Sequence, residues 1–144
     1  MGLATGQATF ETRVPTWADW DANHLAICRL AARVDDLVVG WAALSPAAKR
    51  QVYAGVAEVS IYIHENYRGM GIGEQLMTRL IELSEQNRIW TLQSSTFPEN
   101  AASVALHKKC GFRLVGRRQK IARHMGVWRD TVILERRSKV AGVD

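Results

Sequence analysis

The chain has little of what would take it outside ordinary globular chemistry. It carries two cysteines, Cys28 and Cys110, in 144 residues. Two cysteines build no disulfide framework, and neither sits in a metal-type spacing. No metal is therefore expected, and a reducing cytoplasm is the expected compartment. No apolar run approaches the ~20 residues needed to cross a bilayer, so no membrane partner is expected. The opening stretch MGLATGQATF has no basic start followed by an apolar segment, so no secretion signal is expected. Repeats, low-complexity tracts and linkers are absent from the sequence, which reads as a single domain over residues 1–144.

What is there suits a packed core. Hydrophobic residues make up 47% and charged residues 23%, and a chain of this size buries roughly 68–70% of its unfolded surface. The formal net charge is +5 and the isoelectric point about 9.6. Such a balance suits a polyanionic ligand or simply a solvated basic face. The densest basic set is Arg113, Arg117, Arg118, Lys120 and Arg123, and Arg136, Arg137 and Lys139 follow. No reading motif accompanies these charges, so nucleic acid is not an expected partner.

Periodicity and punctuation predict alternating helices and strands. Residues 16–33 read as a helix, with Trp17, Trp20, His24 and Ile27 at helical spacing. Leu37–Leu44 is a continuous apolar run, as in a buried strand. Ser45–Gln51 contains Pro46 and reads as a loop. Glu58–Ile63 alternates, with Val59, Ile61 and Ile63 on one face. Gly73–Asn87 is helical, with Leu76, Leu80 and Leu83 forming its stripe. Ile89–Gln93 is a short strand. Asn100 caps a helix that Gly111 stops, and Phe112–Arg118 and Trp128–Arg136 are the last strands. Alternation of this kind argues for an α/β layer structure.

Between the Glu58–Ile63 strand and the following helix lies Arg68-Gly69-Met70-Gly71-Ile72-Gly73. Glycines there let the backbone turn sharply and approach a ligand closely. The free N–H groups of the next helix then point at an anion, and Arg68 adds a charge suited to phosphate. A plain tight turn explains the glycines equally well. The Lys-Ser/Thr pair of a P-loop is missing, and the spacing is not that of a dinucleotide fingerprint.

The combination resembles the GCN5-related N-acetyltransferase superfamily. The R-G-x-G-x-G segment between strand and helix resembles its pyrophosphate motif, and Asn100-Ala101-Ala102-Ser103 with Leu106-His107-Lys108-Lys109-Cys110-Gly111-Phe112 resembles its second cofactor motif. Within the superfamily the chain is similar to the phosphinothricin and arsinothricin acetyltransferase branch. Ala8-Thr9-Phe10-Glu11-Thr12 resembles that branch's opening segment, Arg50-x-x-Tyr53 with Glu58 its substrate loop and catalytic strand, and Gly126-Val127-Trp128-Arg129-Asp130 its closing signature. His124 stands where the branch has a lysine-like position. The branch's first strand and helix, ahead of Phe10, have no counterpart. The implied fold is a mixed central sheet flanked by helices, lacking that first strand and helix.

The resemblance implies acetyl transfer from acetyl-CoA, as cosubstrate, to the amino group of a small amino-acid-like molecule of the phosphinothricin, methionine sulfoximine or arsinothricin type. Transfer to another amine or a peptide N-terminus, and a non-catalytic acyl-CoA-binding module, are the alternatives. Glu58 is the implied general base, set among apolar neighbours; a surface glutamate on a strand edge is the plainer reading. Ile61, Tyr62 and Ile63 would hold the pantetheine arm through backbone groups, one N–H facing the acetyl carbonyl. Arg68, Gly69, Met70, Gly71, Ile72 and Gly73 would hold the pyrophosphate, and Asn100 would contact the cofactor beyond its capping role. His107 falls where many members carry a tyrosine that protonates the thiolate, and a histidine can do that or merely pack. Cys110 reads as a small core residue. Phe10 would pack against the acceptor, Arg50 would pair with its anionic group, and Tyr53 would bond the same anion or pack. A homodimer is implied by resemblance.

Overall fold

The computed structural model describes residues 17–143. Phe10 and the rest of its segment lie outside the described residues. The elements run α1 Trp17–Asn23, β1 Leu30–Val34, β2 Leu37–Pro46, β3 Val56–Ile63, α2 Ile72–Gln86, β4 Thr91–Thr96, α3 Ala101–Lys109, β5 Arg113–His124 and β6 Val127–Arg137. Short 3₁₀ turns at Gln51–Tyr53 and Glu65–Tyr67 lead into and out of β3.

The six strands form one sheet in the order β1-β2-β3-β4-β6-β5. Every neighbouring pair is antiparallel except β3 and β4. A parallel pair needs a crossover, and α2 supplies it. Two-residue turns close both outer hairpins. Asp35 takes φ 55° between β1 and β2, and Met125 and Gly126 take φ 52° and 78° between β5 and β6, the left-handed values that short hairpin turns require.

The core lies between α2 and the sheet. Leu76, Met77, Leu80 and Ile81 of α2 are buried against Ala42 and Leu44 of β2, Ala57 and Val59 of β3, Leu92 of β4 and Leu134 of β6. Their spacing on α2 is the i, i+1, i+4, i+5 stripe of an amphipathic helix. Strand alternation therefore turns Glu58, Ser60 and Tyr62 to the other face of the sheet. The basic residues of β5 sit on an edge strand, where Lys and Arg deter pairing with another chain. Two of them are paired, Arg113 with Glu135 and Arg117 with Asp130 at 2.7 Å.

The mixed sheet and its flanking helices agree with the sequence reading, with two corrections: Ser45 and Pro46, read as the start of a loop, end β2 by pairing with Glu58 and Ala57, and one expected helix is shorter. The helix expected over residues 16–33 ends at Asn23, and Leu30–Val34 is a strand. Leu30 pairs with Ala42 and Val34 with Leu37, and Cys28 at φ 59° leaves the helical path. Trp17 and Trp20 keep their helical places in α1, and long-range pairing with β2 takes the later part of the expected helix, from Leu30 on. The apolar run of β2 is also only part-buried: Leu37 and Val38 are exposed, while Val39 to Leu44 enter the core apart from half-buried Trp41.

Candidate active site

The parallel pairing of β3 and β4 is short. It spans Val56↔Thr91, Ala57↔Leu92 and Glu58↔Gln93, and then stops. β3 continues to Ile63 paired only with β2, and β4 continues to Thr96 paired only with β6. The two strands diverge from Glu58 onward and leave a gap in the middle of the sheet.

Which backbone groups face that gap follows from the ladders. The His64 N–H donates to the Val39 carbonyl at 2.7 Å and the Ala47 N–H to Val56 at 3.4 Å. Both bonds lie in register with β2–β3. Antiparallel strands direct alternate residues to alternate sides, so Val56, Glu58, Ser60 and Tyr62 bond to β2. Val59, Ile61 and Ile63 turn their N–H and C=O groups into the gap. On the other bank, the Ser138 N–H donates to the Trp90 carbonyl at 2.8 Å, which leaves Gln93 and Ser95 facing β3 by the same alternation. Of the segment Ile61–Ile63, then, Ile61 turns its N–H and C=O and Ile63 its N–H toward the gap, the Ile63 carbonyl accepting from Arg68 Nε at 3.3 Å, while Tyr62 turns its backbone groups to β2. Gln93 and Ser95 were not singled out from sequence, because the offset of a parallel pair leaves no local signal.

The glycine loop closes the mouth of the gap. Gly69 and Gly71 take φ 78° and 81°, left-handed values that favour glycine. A Cβ at either would meet nothing within 4 Å, so the space above the loop is open. The first-turn N–H groups of α2 have no acceptor within the helix and carry the positive end of its dipole. Arg68 is exposed beside them, its Nε donating to the Ile63 carbonyl at 3.3 Å. Met70 is exposed, and Ile72 packs on the core. Gly73 lets the first turn approach α3: a Cβ there would lie 3.1 Å from Leu106. These features fit a diphosphate held by backbone amides and one guanidinium.

Asn100 sits at the start of α3, just past the end of β4. Its side chain accepts from the Ser103 N–H at 3.2 Å, which accounts for the cap. Glu58 is half-buried at the apex where the strands part, with Ser45 and Gln93 as its register neighbours. On the same face Tyr62 approaches Trp41, 6.5 Å between ring centroids, and Trp20 meets Trp41 edge-on at 5.5 Å. Arg50 and Tyr53 are exposed at the other end of β3, in the turn that leads into it.

His107 is 1% exposed on the inner side of α3. Its Nδ1 lies 2.7 Å from the Ser103 carbonyl, which can only accept, so this nitrogen carries the proton. In the neutral ring Nε2 is then an acceptor, and it is buried without a hydrogen-bond partner. Burial pushes the His107 pKa down, partly offset by the bond to Ser103. Folded His107 is thus held neutral, while the unfolded chain protonates it below about pH 6.5. The unfolded state binds more protons there, so stability falls as pH drops from about 6.5 toward the lower folded value. His107→Gln should flatten that part of the melting-temperature profile; parallel wild-type and variant profiles would contradict this assignment. Burial also raises the Cys110 thiol, in keeping with a packed cysteine rather than a nucleophile.

Residues 4–112 match the sequence model of the Acetyltransferase (GNAT) family. The chain belongs to that family. Its activity class is therefore acyl transfer. It is 28% identical over 135 residues to the L-methionine sulfoximine/L-methionine sulfone acetyltransferase of Pseudomonas aeruginosa, covering 94% of this chain and 74% of that protein. It is 30% identical to the phosphinothricin N-acetyltransferase of Alcaligenes faecalis, covering 93% and 71%. Among solved structures it is similar to a GNAT superfamily phosphinothricin acetyltransferase from Sinorhizobium meliloti in complex with AcCoA. There the TM-score is 0.88 at 26% identity, with 99% of this chain and 80% of that one covered. No helix among the described residues is long and apolar enough to cross a membrane.

Proposed function

We propose that this chain, acting as one N-acetyltransferase domain, moves the acetyl group of acetyl-CoA to the amino group of a small anionic amino acid of the methionine sulfoximine or phosphinothricin type. The observation that carries the reading is the parting of β3 from β4 at Glu58, which puts a carboxylate at the apex of a gap lined by free backbone groups. The names of the Pseudomonas and Alcaligenes relatives support the acceptor class, and the AcCoA complex of the Sinorhizobium protein supports the donor.

Acetyl-CoA supplies a thioester carbonyl open to attack by an amine. The chain's residues do the rest. Arg68 and the N–H groups of Gly69 to Gly73 hold the diphosphate. Ile61 and Ile63 hold the pantetheine amides, and the Ile61 N–H faces the carbonyl oxygen as charge builds on it. Asn100 flanks the same arm. Glu58 takes the proton that the amine sheds as its nitrogen bonds to the carbonyl carbon and the C–S bond breaks. His107 is a positioning residue: the bond to Ser103 fixes its ring on α3, and the edge-on contact with core residue Phe112 at 5.0 Å seats the helix. A neutral ring with its proton on Nδ1 has none to give from Nε2.

Arg50 pairs with the acceptor's carboxylate or phosphinate, Tyr53 donates to the same anion, and Phe10 packs against the acceptor. A homodimer in the cytoplasm belongs to the same reading. Ile121, Val127 and Trp128, exposed toward the end of the β5–β6 hairpin, offer an apolar surface for the second copy.

Steady-state kinetics test the acceptor class. Anionic amino acids should be acetylated better than an uncharged amine of similar size. Arg50→Lys keeps the charge but loses the planar fork, so it should raise the acceptor KM more than it lowers kcat. Preference for the uncharged amine, or unchanged constants in Arg50→Lys, would overturn the acceptor assignment and leave the donor site standing.

A further inference from the structure

At the end of β3 away from the glycine loop, Trp90 is clasped between two glycines. A Cβ on Gly55 would fall 2.0 Å from Cε3 of the Trp90 ring, so the ring lies directly on the Gly55 backbone. A Cβ on Gly142 would fall 2.7 Å from the Trp90 Cβ. Gly55 precedes β3 and follows the Gln51–Tyr53 turn by one residue. Its carbonyl accepts from both the Trp90 and Thr91 N–H groups, at 2.8 and 3.0 Å. The turn is closed by its own bonds, from the Ala54 N–H to the Gln51 carbonyl and from the Tyr53 N–H to the Arg50 carbonyl, both at 3.0 Å, and Ala54 joins it directly to Gly55.

The other side of Trp90 is held by the C-terminal segment. The Trp90 carbonyl accepts from Ser138 at 2.8 Å. The Ser138 hydroxyl donates to Glu85 of α2 at 2.5 Å and accepts from the N–H groups of Val140 and Ala141 at 3.1 and 2.9 Å. The Arg137 guanidinium gathers the carbonyls of Ser138, Ala141 and Gly142 at 2.9, 2.8 and 2.6 Å. Ala141 is buried. A dense set of bonds thus holds residues 138–142 beside Trp90. Its geometric effect is to fix one face of the Trp90 ring and, through it, Gly55.

From this we infer that Trp90 is a positioning residue for acetyl transfer. The segment Ser138–Gly142 and the Trp90 ring form a brace that sets where the Arg50–Tyr53 turn stands relative to Glu58. The inference rests on the reading of that turn as the acceptor-binding loop. Glu58 lies three residues beyond Gly55 and is held by its own pairing with Ser45 and Gln93, so a shift of Gly55 moves the acceptor loop relative to Glu58. The glycine loop, beyond the far end of β3 and at the start of α2, stays where it is. Misplacement by about 1 Å costs up to about 10²-fold in a positioned reaction. The loss should fall on the acceptor and spare the donor.

The experiment pairs kinetics with hydrogen exchange on the full chain, using methionine sulfoximine as acceptor and the variants Gly55→Ala, Trp90→Ala, Trp90→Phe and Ser138→Ala. Gly55→Ala and Trp90→Ala should each raise the acceptor KM roughly tenfold or more with little change in the acetyl-CoA KM. Their double variant should be no worse than Trp90→Ala, because both act through one contact. Trp90→Phe should recover most of the loss. Exchange should quicken in residues 47–56 of Ser138→Ala and Trp90→Ala, and stay unchanged in residues 68–73. Additive effects in the double variant, an equal rise in both KM values, or unchanged exchange in residues 47–56 would each overturn the brace. If the wild type acetylates no amino acid, the acceptor reading fails, and the exchange experiment still decides whether Trp90 holds the turn. Should Gly55→Ala not fold, Ser138→Ala and Trp90→Phe carry the same comparison.

Discussion

Replacing Glu58 by glutamine is expected to lower kcat by about 10²–10⁴-fold while leaving acetyl-CoA affinity nearly unchanged. Glutamine keeps the shape and hydrogen-bonding reach of the side chain but cannot take up a proton. Glu58 occupies the last paired position of β3 and β4, on the face opposite the α2 core, so the substitution neither opens a cavity nor disturbs the free amides of Ile61 and Ile63. Donor binding should survive, and the loss should appear at the proton-transfer step. A fall of less than about threefold in kcat would mean that another group or bulk water removes the proton.

The second large effect belongs to the glycine loop. In wild type, acetyl-CoA at about 100 times its Kd should stabilise the fold by about 2.7 kcal/mol. For a chain of this size that is a rise of roughly 5–10 °C in Tm. Gly71→Val should abolish the rise. A valine Cβ at position 71 would meet no protein atom within 4 Å, so the effect does not come from a clash inside the fold. It comes from the backbone. At φ 81° a β-branched residue is strained by roughly 1–2 kcal/mol, and the added methyl groups stand in the space the diphosphate would use. The variant should still melt cooperatively, a few degrees lower. A full ligand-induced shift in a folded Gly71→Val protein would contradict the placement of the diphosphate.

The parts of this site that were legible in the sequence are those written in local code. The glycine loop, the Asn100 cap with Gly111 closing its helix, and the apolar stripe of α2 depend on residues a few positions apart, and each stands where its pattern predicts. The facing of Glu58 was legible through the alternation of Val59, Ile61 and Ile63 around it, whereas its role as base was implied only by the resemblance. What the pattern missed depends on distant partners. Leu30–Val34 overlaps the end of a helix expected over residues 16–33 and becomes a strand because β2 lies beside it. The divergence of β3 from β4 is a property of two strands and a crossover, and no residue announces it. The distinction between Tyr62 and its neighbours Ile61 and Ile63 follows from ladder phase, which shows only once His64 is seen to bond Val39. The Trp90 brace is likewise invisible in sequence, since it joins residues 55, 90 and 142 from three separate segments outside the helices and strands.

The most direct measurement is thiol release from acetyl-CoA by the wild-type chain with methionine sulfoximine, phosphinothricin and an uncharged amine as acceptors, run beside Glu58→Gln and Gly71→Val. The account predicts acceptor-dependent release with the anionic amino acids, little with the uncharged amine, and near-background rates in both variants. Release that is independent of any acceptor, or undiminished in both variants, would contradict it.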